Sequence, residues 1–190
     1  MTDRLVTYAE RSLAYHIDQQ IADFDNVVVV TPDFDWNRKP DPSDPKNKSL
    51  PRALPYAAIV GMNDQQLPFT VGNILYETAM MMSIHVCGST YTQMKNLTAD
   101  MKQTLRSAVN PITGGIGIVL YNFAVVSGSF YANAGTLGVE LGITEYFGPA
   151  DIQEQDNTKY RSVTPIVLSA YKDNTATLLE NKGRLSFNDT

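Results

Sequence analysis

The stretch from residue 76 to 109 constrains the fold most, because a strand there runs straight into a capped amphipathic helix. Along Tyr76, Thr78, Met80, Met82, Ile84 and Val86 every second side chain is mostly apolar, the period of a strand that lays one face on a core. Thr90 and Gln93 stand at capping-box spacing, where the hydroxyl accepts an orphan backbone N–H and the amide reaches back. Met94, Leu97, Met101, Leu105 and Ala108 then recur at helical spacing, and Asn110-Pro111 ends the helix.

The flanking regions supply further elements. Leu5, Ala9, Leu13, Ile17, Ile21 and Phe24 fall on one face of an opening helix over about residues 3–24, with Asp3 as its expected N-cap. Val27 to Val30 form a β-branched run that reads as a buried strand. Residues 32–55 carry six prolines among Asp, Asn and Lys; prolines withhold backbone donors, so a long loop without regular structure is expected there. Residues 56–62 read as a strand, Asn63-Asp64 as a turn and 76–87 as the next strand. Beyond the second helix, 116–126 is a strand with a bend at Gly117, and Leu137, Val139, Leu141 and Ile143 alternate with Gly138, Glu140, Gly142 and Thr144 in another. Residues 160–172 make a last strand joined to its predecessor as an antiparallel pair through the loop 148–158. Pro165 implies an edge position or a bulge, because it cannot donate to a ladder. The tail 173–190 is polar and weakly patterned.

The sum is an α+β fold, a mainly antiparallel sheet with two amphipathic helices packed on one face. One domain spans residues 1–172 with the loop insertion 32–55, and 173–190 form a C-terminal arm. A single unit of 190 residues buries roughly 70% of its unfolded surface.

Charge and cysteine usage exclude several classes. Fifteen basic against twenty acidic residues leave a net charge of −5, which argues against a broad phosphate-gripping surface. Cys87 is the one cysteine, so no intrachain disulfide or four-cysteine zinc site can form, and a reducing compartment is expected. No apolar run approaches the ~20 residues of a membrane span, and the first residues lack a signal-peptide pattern.

The search for chemistry leaves no catalytic set, and no metal or cofactor is expected. His85 and Cys87 share a strand face and offer two ligands, but no second cysteine completes a site and His16 lies on the first helix. Asp33, Asp35 and Asn37 match the first three positions of a calcium loop, with Asp44 at the twelfth. Arg38 then stands where that loop needs glycine, and the twelfth residue should be glutamate. Thr113-Gly-Gly-Ile-Gly precedes a strand rather than a helix, so it lacks a helix N-terminus for a phosphate. Ser127-Gly-Ser129 is not a nucleophile elbow. Glu140, Glu145 and Asp151 are acids that nothing in the sequence pairs.

Interaction features stand out instead. With Met80, Met82 and Ile84 inward, Glu77, Met81, Ser83 and His85 face the other side of the sheet, where Met81 is too apolar to suit water. Phe34 and Trp36 are large hydrophobes inside the charged loop 33–48, as in an arm that orders on a partner through a rigid aromatic.

The order helix, short strand, variable loop, then the strand YETAMMMSIHVC at 76–87 entering a helix at 90–109, with closing strands ending in VTPIVLSAY at 163–171, resembles the tail-terminator proteins of long-tailed bacteriophages. The likeness covers residues 3–31 and 56–172 and rests on element order, not on an invariant motif. It implies a non-enzymatic virion protein, assembled in the host cytoplasm, that forms a hexameric ring on the last ring of tail-tube subunits. Such a ring stops polymerisation, offers a surface to the head–tail connector and lets DNA pass without gripping it. The insertion 32–55 and the region 114–149 exceed the minimal pattern, and stopper, connector and tube proteins share similar folds. From a different class, a small ligand- or calcium-binding domain or enzyme would place its site under the loop 33–44.

Overall fold

In the computed structural model of the chain, the described residues are 2–30, 38–40, 42–44, 48–68, 75–111, 114–127, 130–148 and 160–173. They form helix α1 (Thr2–Gln20), strands β1 (Asn26–Val30), β2 (Arg38–Pro40), β3 (Ser49–Pro51), β4 (Tyr56–Pro68) and β5 (Leu75–Gly88), helix α2 (Tyr91–Arg106), and strands β6 (Ile118–Ser127), β7 (Phe130–Leu141), β8 (Glu145–Phe147) and β9 (Tyr160–Asp173). The main sheet runs β1-β4-β5-β9-β7-β6, with β8 also paired to β9, and β2 and β3 form a separate two-stranded sheet. Only the β1–β4 pair is parallel; the other ladders are antiparallel. The architecture is therefore α+β with a mostly antiparallel sheet.

The sheet curls around α1, which touches β1 and β4 toward one end and β6 at the other. Ser12, fully buried on α1, accepts the backbone N–H of Tyr121 at 2.9 Å, tying the helix to β6 where its ladder to β7 slips register. Tyr8 meets Phe123 edge-on at 6.0 Å and Tyr15 meets Tyr121 at 5.1 Å, while the Arg11 guanidinium lies 4.2 Å above the Phe123 ring, a geometry that favours both contacts.

One core joins both helices to the same face. Leu5, Ala9, Leu13, Ile17, Ile21 and Phe24 meet Met80, Met82, Ile84 and Val86 of β5, Leu97, Met101 and Leu105 of α2, and Ile166, Leu168 and Ala170 of β9. The expected periodicities therefore hold in β5 and α2. The helix α1 stops at Gln20, short of residue 24, yet Ile21 and Phe24 continue into the core, so burial outlasts helical backbone. Asp3 sits inside α1 rather than capping it.

The junction between β5 and α2 is built as the capping pattern implies, with one change. Thr90 Oγ1 accepts the Gln93 N–H at 3.1 Å, but Gln93 Oε1 accepts from the Ser89 backbone N–H at 2.8 Å, one residue earlier than a capping box requires. The helix ends at Arg106 with Ser107 as C-cap, and the buried Asn110 donates from Nδ2 to Gly135 O and Thr136 Oγ1, both at 2.9 Å.

Two expectations are corrected. Asn63 and Asp64 do not turn the chain: β4 continues through them to Pro68, paired with Met81 and Met80, because a bulge between Gly61 and Asn63 absorbs the irregularity. Within the proline-rich insertion the described residues include the short pair of β2 with β3, and 31–37, 41 and 45–47 lie outside the described residues. Pro165 is on neither an edge nor a bulge of the β5–β9 ladder; it lies in register opposite Ser83 in a central strand. The reason is the break between β7 and β8 on the far side of β9. Pro165 O accepts from Gly142 N at 2.8 Å there, so the missing proline donor points at a place where no strand asks for one. The loop 148–158 and the tail 173–190 fall almost wholly outside the described residues.

Candidate functional site

The face of the sheet opposite both helices carries the side chains that the alternation of β5 turned away from the core. Antiparallel register sets them in rows: Tyr56, Cys87 and Arg161 are opposite one another, then Ala58, His85 and Val163, then Val60, Ser83 and Pro165, then Met81 and Val167 with Glu140. β8 extends the first two rows by Phe147 and Glu145.

Burial is graded along this face. At the Tyr56 end it is closed: Tyr56, Ala58 and Cys87 are fully buried and packed by Val28, Val30 and Leu54, with Arg52 also buried. Burial pushes the Tyr56 hydroxyl well above the usual phenol range, and its hydrogen bond with Cys87 acts in the same direction. At the other end it is open. Met81 is 44% exposed, with the exposed Glu140 and Pro165 in its own and the adjacent row.

His85 lies between the two ends. Ser83, itself buried, is 3.0 Å from His85 Nε2. Burial, reinforced by the positive charge of Arg161, holds the His85 pKa down at about 4, so its imidazole is neutral at pH 7. Arg161 in turn stacks 5.1 Å from the Phe147 ring centre. The arrangement is a polar seam let into an apolar face.

Of the sequence-derived candidates, Met81, Ser83 and His85 do share this face. Glu77 stands opposite Leu67 and Tyr171 in the ladders, with its side chain outside those described. Phe34 and Trp36 lie outside the described residues, as do Asp33, Asp35 and Asn37. His85 and Cys87 point the same way, but Cys87 is enclosed and engaged with Tyr56. Among the described residues no group of three His, Cys, Asp or Glu is placed to hold a metal ion.

Two surfaces escaped sequence reasoning. Lys95 extends over Tyr91 at 5.3 Å and Tyr146 at 5.9 Å, and Tyr91 meets Tyr160 at 6.2 Å; the i, i+4 spacing of Tyr91 and Lys95 on α2 was the available signal. A groove lined by Asp23, Thr90, Thr92, Gln93, Asn96, Leu97 and Asp100 runs beside the start of α2. Its two carboxylates oppose the anion preference of a helix N-terminus.

No protein-family model matches the chain, and no curated protein matches it in sequence. Among the described residues no helix is long and apolar enough to cross a membrane.

Proposed function

We propose that this chain is a structural virion protein that forms a ring at the head-proximal end of a phage tail tube, stops tube polymerisation and joins the tail to the head connector. The carrying observation is the outer sheet face, closed by its own chain at Tyr56 and open at Met81, on a sheet whose other face is already filled by two helices. An apolar side chain held half-exposed in the middle of a sheet favours a protein neighbour over water. The strand that passes through Gly88 directly into α2, and the closing antiparallel strands, match the element order that prompted the resemblance. The net charge of −5, repeated around a ring, suits a lumen that DNA crosses without being gripped.

Sedimentation of the purified chain, followed by titration into polymerising tail-tube protein, tests this role. The expected outcome is a hexameric species that caps tubes and shows no appreciable DNA binding at physiological salt. A chain that stays monomeric and leaves tube length unchanged, or that binds DNA at micromolar, salt-sensitive affinity, would refute it. A stopper or connector would instead leave tube growth alone and bind the capped tail, and a tube protein would polymerise by itself.

A further inference from the structure

Resting on the ring-forming role proposed above, the geometry points to the occupant of the open outer face: the paired strands β2 and β3 of a second copy, laid on Met81 and Val167 beside Glu140, with Glu145 two rows further along the same flank.

The hairpin is an element without a core of its own. Each strand has three residues, and among the described residues the two pair with each other in a sheet separate from the main one. A lone two-stranded hairpin is marginal in water, and one this short gains its order from a surface it lies on. It also presents an apolar side chain outward, since Leu50 is 40% exposed, with Lys39 and Lys48 exposed beside it.

Charge selects the receiving surface. Residues 38–51 carry Arg38, Lys39, Lys46 and Lys48 against Asp41 and Asp44, so this segment is net positive in a chain whose balance is −5. The open end of the outer face is its complement. Met81 and the half-buried Val167 form an apolar strip; the exposed Glu140 flanks it on β7, and the exposed Glu145 stands on β8 opposite Val163, two rows further along the same flank. Leu50 on Met81 and lysines on the two glutamates satisfy both kinds of group together, the usual plan of an apolar centre with a charged rim. The hairpin's own sheet is closed to it at the Tyr56 end, where Leu54 already packs.

The test mixes two single-cysteine additions, Leu50→Cys protein with Met81→Cys protein, under mild oxidation; the native Cys87 is fully buried and does not compete. A covalent dimer in the mixture, well above that in either protein alone, is expected. Independently, Glu140→Lys with Glu145→Lys should weaken self-association at least tenfold at low salt, and Lys39→Glu with Lys48→Glu in the same chain should restore it. If the wild type assembles but the mixture yields no dimer and the charge reversals change nothing, the hairpin assignment falls and the ring-forming role stands. If the doubly substituted Leu50→Cys, Met81→Cys chain closes only on itself, the hairpin folds back on its own sheet and the assignment is equally overturned. If the wild type is monomeric at every concentration, the ring-forming role itself is lost.

Discussion

Gly88 is where a strand becomes a helix, and replacing it with alanine separates two physical expectations by sign. Its backbone is not in the left-handed region, so on conformational grounds alone Gly88→Ala should stabilise by about 0.4–1 kcal/mol through the unfolded chain. The junction says otherwise. A Cβ at this position would stand 2.8 Å from the Met94 backbone nitrogen and 3.0 Å from its Cβ. Met94 is fully buried, so neither the helix backbone nor that side chain can yield freely.

Overpacking of this kind costs typically 1–3 kcal/mol, which leaves a net destabilisation of roughly 1–2 kcal/mol after the entropic gain. In a domain of this size that lowers Tm by about 2–8 °C. Urea unfolding followed by circular dichroism, with Thr90→Ala as a companion, measures it. Thr90→Ala removes the acceptor for Gln93 N–H and should cost about 1 kcal/mol. A Gly88→Ala protein as stable as wild type or more so would mean that α2 does not seat against the end of β5, and the account of this junction would be wrong.

Acidification should weaken the fold. The His85 pKa is held at about 4 and that of His16 is also lowered by burial, so between about pH 6.5 and 4 the unfolded chain binds more protons and stability falls with pH. His85 contributes about 1–2 kcal/mol of this by pH 5; the half-buried Glu10, whose pKa is raised by burial, acts in the opposite sense lower in the range. Equal urea midpoints at pH 7 and pH 5 would contradict this. Thr98→Val breaks a fully buried pair, Thr98 Oγ1 to Ser162 Oγ at 2.6 Å, and should cost about 1–3 kcal/mol, partly recovered in the Thr98→Val, Ser162→Ala double variant; additive losses would show that the two hydroxyls are not coupled. Trp36→Ala should impair assembly while leaving monomer unfolding nearly unchanged, and unaltered sedimentation would remove Trp36 from any interface.

The elements legible in the sequence were those where one face alone is buried. β5 and α2 announce themselves because Met80, Met82 and Ile84, and Met94, Leu97 and Met101, repeat at the periods of their backbones. The continuation of β4 past Asn63-Asp64 was not legible, since Asn63, Asp64, Gln65 and Gln66 are an unbroken polar run without apolar alternation. Pro165 misled for a related reason: whether a proline breaks a ladder depends on which neighbour its nitrogen faces, and the gap between β7 and β8 is a tertiary fact. At the candidate site, alternation placed Met81 and His85 on the outer face correctly. It could not reveal that Tyr56 and Cys87 are sealed there, because the residues that seal them, Arg52 and Leu54, come from the proline-rich insertion and carry no periodicity.

The curl of the sheet also limits how copies of this chain can meet. β1 and β6, the ends of the main sheet's strand order, both contact α1, and the Tyr121 N–H of β6 is taken by Ser12 rather than left for another strand. The proposed association uses the outer face and the β2–β3 hairpin. A hairpin of one copy on the face of the next is a heterologous contact, in which the two partners use different surfaces. Repetition of such a contact gives a closed ring when the rotation divides a full turn and an open filament when it does not, whereas a self-complementary contact stops at a dimer. Negative-stain images of the purified protein therefore read both proposals at once. Closed rings support them; filaments would remove the terminating role, because a chain that extends itself cannot end a tube; and a dimer as the largest species would remove the ring, since two hairpins exchanged reciprocally about a two-fold axis close without one.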